Sequence, residues 1–278
     1  MNIVWALDWN YIKCCKTSIF SFIETLDKQM VEDVKITVIM TGDKVRLVKQ
    51  ELDKMFDTLK LAMLNVPAYE LVDMHEEADK MAFDKRLSPA SSVRLKIPTF
   101  MDKKVLYVDC DTLFISSPKD LFEFDMQDMD IAAKRDLDAL WFYSDNSFES
   151  IGFNDRKSRI NYFNAGVLLI DCEKASSGFA EADRLLQEKH YKHGDQDALN
   201  VVYRGAYSLL PNKFNHFVEL DEPFWGFTDK PCIVHYTMNR NKPWLPDCTA
   251  IDNKWCMRWF EVNRKLKDLL VASSLQKL

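Results

Sequence analysis

Over residues 2–66, apolar runs of strand length alternate with stretches of helical periodicity, and this alternation constrains the fold more than any other feature. Asn2–Leu7 reads as a short apolar strand ended by Asp8–Asn10. Ile12, Cys15, Ile19, Phe22, Ile23 and Leu26 then recur at helical spacing. Val34–Met40 reads as a second strand. Asp43 is placed to cap a helix whose apolar stripe runs Val45, Leu47, Val48, Leu52, Met55, Phe56 and Leu59. A third strand is expected over Lys60–Val66, stopping at Pro67. Strands separated by helices predict an α/β fold with parallel strands and helical crossovers.

Further along, Ser88-Pro89 reads as a cap and first-turn proline opening a helix through Val93, Leu95, Lys96 and Phe100. The run "KKVLYVDCDTLF", 103–114, places a buried strand directly before two carboxylates, Asp109 and Asp111. Ser117-Pro118 marks a turn, and Asp130–Lys134 reads as a strand. Leu137–Ile160 is irregular, with Trp141, Phe142, Tyr143 and Phe148 among polar residues, the composition of a binding loop or of a surface packing segment. Tyr162–Ile170 is an expected strand, Glu173–Tyr191 a helix and Asp197–Tyr203 a short helix. Ala206–Leu210 and Cys232–Tyr236 are expected strands, and the amphipathic end of the chain is locally basic. No repeat, low-complexity tract or flexible linker interrupts the chain, so residues 1–278 are expected to form one domain.

Composition narrows the function. The 278 residues are 47% hydrophobic and 29% charged, ordinary for a globular protein with a sizeable core. A net charge of −6 argues against nucleic acid as a partner. No apolar run is long enough to span a bilayer, and "MNIVWALDWN" lacks the basic start of a signal peptide. The seven cysteines form no CxxC pair, and Cys14 and Cys15 fall on a buried helix face; reduced thiols in a cytoplasmic protein are expected. With seven glycines and neither GxGxxG nor GxxxxGK[ST], no familiar glycine-rich loop is available to cradle phosphates.

Buried carboxylates need partners. Asp109 and Asp111 sit at a strand end, where a turn can converge their oxygens on a hard cation such as Mn²⁺ or Mg²⁺. A lone DxD also serves to cap loops and helices, so the pair alone leaves both readings open. A phosphohydrolase with Asp109 as nucleophile is a further alternative, but Thr112 stands one place early for an hhhDxDxT motif and Leu199 replaces the last acid of GDxxxD. Asp8 and Asn10 follow the first strand, where open α/β sheets bind nucleotides, and equally suit a turn. His235 ends an expected strand, and Lys242 precedes Pro243-Trp244.

Taken together, "IVWALDWNY", "VRLKIPTF", "KKVLYVDCDTLF", "YFNAGVLLIDCEK", "GDQDALN" and "HYTMNRNKPW" occur in the order and near the spacing of glycosyltransferase family 8. Over roughly residues 2–260 the chain resembles bacterial lipopolysaccharide galactosyl- and glucosyltransferases and, more distantly, glycogenin and galactinol synthase. The resemblance implies a GT-A fold: a Rossmann-like nucleotide half with a mixed, mainly parallel sheet, about 1–115, merged with an acceptor half, about 116–250, before a helical tail, about 251–278. It implies a retaining transferase moving galactose or glucose from a UDP-sugar to a glycan, lipid-linked or protein-linked acceptor, with Mn²⁺ as cofactor and Mg²⁺ as a substitute. Asp109, Asp111 and His235 match the metal ligands. Asp8, Asn10, Tyr11 and the Cys110 backbone match the surroundings of uracil and ribose. Arg94 and Asn164 match donor-sugar contacts, Asp195 an acceptor of sugar hydroxyl protons, and Lys242 a diphosphate contact. Gln196 matches the residue beneath the anomeric carbon, and with Asp195 forms the expected catalytic pair.

Two departures stand out. The family's HYxGxxKPW is here "HYTMNRNKPW", with no glycine and one extra residue; Asn239 is expected to take a left-handed backbone in its place, and Arg240 either adds charge to the phosphates or faces solvent. Trp9 stands between Asp8 and Asn10, where it either alters the base pocket or packs aside. The altered loop motivates a second reading, a non-catalytic UDP-sugar binder. Trp255, Arg258, Trp259, Phe260, Arg264, Lys265 and Lys267 form either a peripheral contact with anionic lipid or an ordinary packed helix.

Overall fold

The computed structural model of the chain describes residues 1–62, 64–81, 89–136, 139, 144–218, 230–250 and 253–275. Ser88, Trp141, Phe142 and Tyr143 lie outside these residues. Ten strands are described: β1 (Asn2–Leu7), β2 (Lys35–Met40), β3 (Ala68–Asp73), β4 (Lys104–Val108), β5 (Thr112–Phe114), β6 (Ile131–Arg135), β7 (Phe163–Asp171), β8 (Ser208–Leu209), β9 (His216–Phe217) and β10 (Ile233–His235). Seven form a mixed sheet in the order β3-β2-β1-β4-β7-β6-β8, and β5-β10-β9 form a second, three-stranded sheet. β3, β2, β1 and β4 pair in parallel, whereas β7 runs antiparallel to both β4 and β6.

Alternation along the central strands builds two apolar layers. Ile3, Trp5 and Leu7 face a core shared with the helices Ile12–Glu24 and Val45–Leu61, while Val4 and Ala6 face the opposite core. The second layer rests on Cys172–Glu188 and Gly194–Tyr203. Strand order reverses between β1 and β4, and their carboxyl ends open at this switch point, the place where α/β sheets bind ligands.

Several boundaries differ from those read off the sequence. Lys60 and Leu61 complete the helix that begins at Val45, and the third strand is Ala68–Asp73, beyond Pro67 rather than before it. Pro67 lies just before this strand at the edge of the sheet, outside the paired ladder that begins at Ala68. Asp43 does not cap the helix; Lys44 holds that position with no side-chain bond. The "GDQDALN" helix begins at Gly194, three residues early, so Asp195 and Gln196 lie in its first turn. Cys14 and Cys15 are buried as expected, and all seven cysteines are free thiols.

The helix Lys254–Leu275 packs its Cys256, Trp259, Val262 and Leu266 stripe into the first core. No helix among the described residues is long and apolar enough to cross a membrane.

Candidate functional site

"VDCDTLF" forms the step between the two sheets. Asp109 follows β4, with its backbone N–H donating to Gly166 O at 2.7 Å, and Asp111 precedes β5. Thr112 Oγ1 closes the turn by donating to Asp109 O at 2.8 Å. His235 ends β10 opposite Thr112, and the N–H of Tyr236 donates to Asp111 O at 2.9 Å. Residues far apart in the chain are thus fixed by backbone pairing. One ligand atom from each of Asp109, Asp111 and His235 lies within 4.8 Å of the others. His235 Nε2 is 3.2 Å from Asp111 Oδ1 and 4.0 Å from Asp109 Oδ2.

Two hard oxygens and an imidazole nitrogen suit a divalent transition ion. Gly166 shows how tightly this space is held. A Cβ there would lie 2.2 Å from His235 Cε1 and 2.8 Å from Asp109 Oδ2. A glycine within a strand permits close approach, and here β7 comes directly against the candidate metal ligands. The donor set and the glycine together fit a bound cation.

Lys242 Nζ sits 2.7 Å from Asp111 Oδ2, and both groups are buried. Burial alone would raise the Asp111 pKa, but Lys242 and His235 outweigh it and hold the carboxyl well below its usual range. Tyr11 lies in the same field: burial pushes its phenol up to about 12, with Lys242 opposing and Asp111 adding to the shift. Lys242 follows the short Asn239–Asn241 turn. Asn239 is not left-handed, since the non-glycine residues with positive φ among those described are Gln127, Asp128 and Arg204. The extra residue is taken up by a right-handed turn, which still delivers the lysine. Arg240 is exposed.

Asp8 caps a short turn by accepting from Asn10 N at 2.8 Å, at the mouth of β1. Trp9 packs against the core with Lys44 above its ring at 6.0 Å. Cys110 Sγ donates to Ala6 O at 3.1 Å, tying the aspartate turn to β1. On the other side, Arg94 is buried between two acids, 3.3 Å from Asp109 Oδ1 and 2.6 Å from Asp195 Oδ2. Its Nε–H points at Ser91 O, so Asp195 Oδ2 receives no hydrogen bond among the described residues. Burial pushes Asp195 up to about 6, against the pull of Arg94. Gln196 is fully engaged: Oε1 accepts from Ala165 N at 2.9 Å, and Nε2 donates to Asp136 Oδ2 at 2.9 Å and to Tyr162 Oη at 3.2 Å. Asn164 also donates to Asp136, at 3.2 Å.

Asp8, Asn10 and Tyr11 follow β1, Asp109, Cys110 and Asp111 join β4 to β5, Asn164 lies in β7 and Asp195 and Gln196 in the helix at Gly194, whereas Arg94 comes from the Val93–Lys96 turn, His235 from β10 and Lys242 from the loop after it. Sequence reasoning passed over Tyr107, which donates to Asp109 Oδ1 at 2.6 Å, as well as Asp136, Asn215 and Gly166. Only Gly166, a glycine inside the apolar "FNAGVLLI" strand, carried a readable signal.

Residues 2–248 match the model of glycosyl transferase family 8. A lipopolysaccharide 1,2-glucosyltransferase of Escherichia coli is 25% identical over 259 residues, 87% of this chain and 73% of that protein. Glycosyltransferase GlyE of Streptococcus pneumoniae is 30% identical over 166 residues, 54% of this chain and 36% of GlyE. The galactosyltransferase LgtC, solved with donor and acceptor sugar analogues, superposes with a TM-score of 0.71 at 23% identity, covering 95% of this chain and 96% of LgtC. The fold is thus a GT-A fold, and with the family match running from β1 past Lys242, the chain belongs to glycosyltransferase family 8.

Proposed function

We propose that this chain moves galactose or glucose from a UDP-sugar to a hydroxyl of a glycan, lipid-linked or protein-linked acceptor, with retention of configuration. Asp109, Asp111 and His235 hold Mn²⁺, or Mg²⁺ less well, since imidazole is a softer donor than oxygen. The observation that carries this reading is the convergence of those three groups within 4.8 Å beside a buried lysine. When bound, the cation supplies Lewis-acid stabilisation of the charge growing on the departing diphosphate.

The chain's own residues do the rest. Residues 1–115 hold the nucleotide, with Asp8, Asn10, Tyr11 and the Cys110 backbone around uracil and ribose; residues 116–250 receive the acceptor. Lys242 adds fixed positive charge to the diphosphate. Arg94 and Asn164 orient the donor sugar, and Asp195, ion-paired with Arg94, accepts from its hydroxyls. Gln196, with both ends of its amide engaged, is a poor nucleophile beneath the anomeric carbon. This favours attack from the face the leaving group departs, with a leaving phosphate oxygen taking the acceptor proton. A glycosyl adduct trapped on Asp195, Gln196 or Asp197 would overturn that step.

The test is UDP release from UDP-galactose and UDP-glucose with and without Mn²⁺. Slow, Mn²⁺-dependent hydrolysis to water is expected even without an acceptor. If neither donor binds in the presence of Mn²⁺, the reading is wrong; binding without any turnover would favour the non-catalytic alternative. The outer face of the C-terminal helix carries exposed Met257, Phe260, Arg264 and Lys267, which supports a peripheral contact with anionic lipid. Co-sedimentation with phosphatidylserine vesicles, with and without Arg264→Glu and Lys267→Glu, tests it.

A further inference from the structure

Asp136 and Asn215 have no part in the roles above, yet both are buried within the site. Asp136 ends β6. Its Oδ1 accepts from Ala139 N at 2.9 Å, and its Oδ2 accepts from both Gln196 Nε2 and Asn164 Nδ2. An ionised carboxylate only accepts, so both amides must turn their nitrogens toward it. Asn164 Oδ1 therefore faces the other way, where it accepts from Gly166 N at 3.0 Å and from Asn215 Nδ2 at 3.0 Å. The backbone N–H of Gly166 demands an oxygen at that point independently of Asp136. Asn215 is then left with its Oδ1 facing His235 Nδ1, at 2.9 Å. An amide oxygen cannot donate, so the imidazole proton must reside on Nδ1. In the neutral ring Nε2 is then the acceptor, facing the oxygens of Asp109 and Asp111 where a cation would sit.

We propose that Asp136 and Asn215 are positioning residues: one carboxylate sets the direction of a hydrogen-bond chain, Asp136–Asn164–Asn215–His235, that fixes the metal-binding tautomer of His235, while its second branch holds the Gln196 amide. Metal affinity then depends on Asp136, which does not itself belong to the ligand set. The inference rests on the cation reading given above. Partners beyond the ligands commonly govern metal sites in this way, and their loss typically costs ~10- to 100-fold in affinity.

The test is Mn²⁺ binding to the full chain, followed by the electron paramagnetic resonance signal of free Mn²⁺. Asn215→Leu keeps the volume but removes the acceptor, and is expected to weaken binding ~10- to 100-fold. Asn215→Asp keeps an oxygen facing Nδ1–H and is expected to retain binding. Asp136→Asn is expected to weaken binding in the wild-type background but not in the Asn215→Asp background, where the chain is already cut. Nitrogen-15 shifts of labelled histidine in the metal-free wild type, assigned by loss of signal in His235→Gln, are expected to show Nδ1–H; this needs no relay variant to fold. A neutral His235 ring with its proton on Nε2 instead of Nδ1, or Asn215→Leu binding Mn²⁺ as tightly as wild type, overturns the inference alone. Wild type that binds no Mn²⁺ overturns the cation reading and the inference with it.

Discussion

Gly166 sets how near β7 comes to the candidate metal ligands. With a methyl group built 2.2 Å from His235 Cε1, either the imidazole or the strand must move. Overpacking of this kind costs about 1–3 kcal/mol, so Gly166→Ala is expected to lower the melting temperature by several degrees. Because the displaced group is His235, Mn²⁺ affinity should fall with it; calorimetric titration showing wild-type affinity would mean the close approach is dispensable. Asp195 predicts a pH dependence. Its carboxyl is raised from 3.8 to about 6 by burial, only partly offset by Arg94. The folded state therefore binds this proton more tightly than the unfolded chain, and the stability linked to Asp195 declines as pH rises from about 4 to about 6. Asp195→Asn should lose that decline, so its melting temperature should gain on wild type between pH 4.5 and pH 7. In wild type, kcat/KM should fall as pH drops through about 6, because a protonated Asp195 accepts fewer sugar hydroxyls. Asp109, Asp111, His235 and Lys242 were legible because they fall within motifs. Asp136 and Asn215 were not: each is a single polar residue at a strand end, and its meaning comes only from β6, β7 and β10 meeting in space.

Among the elements, periodicity identified helices well where one face is buried and failed where an apolar run had two explanations. "KLAMLNV" combines a helix end with the approach to a strand, and its apolar content satisfied either. The half-exposed edge strand Ala68–Asp73 alternates Tyr69 and Leu71 with the exposed Ala68 and Glu70, and Tyr69 stacks on Phe56 at 3.9 Å; that pairing across elements is invisible in one dimension. The C-terminal helix shows the converse. Its basic residues invited a surface reading, yet Trp259 is buried against Trp244 at 5.4 Å, beneath the Lys13 ammonium at 5.3 Å. The helix is part of the core as well as a surface. Trp259→Ala should cost about 3–5 kcal/mol, read as a lower urea midpoint with an unchanged slope. A loss below about 1 kcal/mol would mean that the helix docks too loosely to count as core.

At the scale of the molecule, the two sheets meet at a site in which one candidate metal ligand is already paired with a lysine. Lys242, carried by the loop after β10, neutralises Asp111, carried by the turn after β4, at 2.7 Å. A cation approaching Asp111 must compete with that ammonium, so Mn²⁺ alone should bind weakly. A nucleoside diphosphate changes the balance, because its oxygens offer Lys242 another partner and release Asp111 to the metal. Mn²⁺ and UDP should therefore bind with positive coupling, which by linkage must be reciprocal. Saturating both at about 100 times their dissociation constants contributes about 2.7 kcal/mol per ligand before coupling, and the coupling adds to that sum. The expected observation is a rise in melting temperature with Mn²⁺ and UDP together that exceeds the sum of the rises with each alone. Lys242→Met removes the internal competitor. In that variant Mn²⁺ alone should bind more tightly than in wild type, UDP more weakly, and the excess stabilisation should shrink. Additive shifts in wild type, or undiminished coupling in Lys242→Met, would show that the lysine does not pass between the carboxylate and the diphosphate.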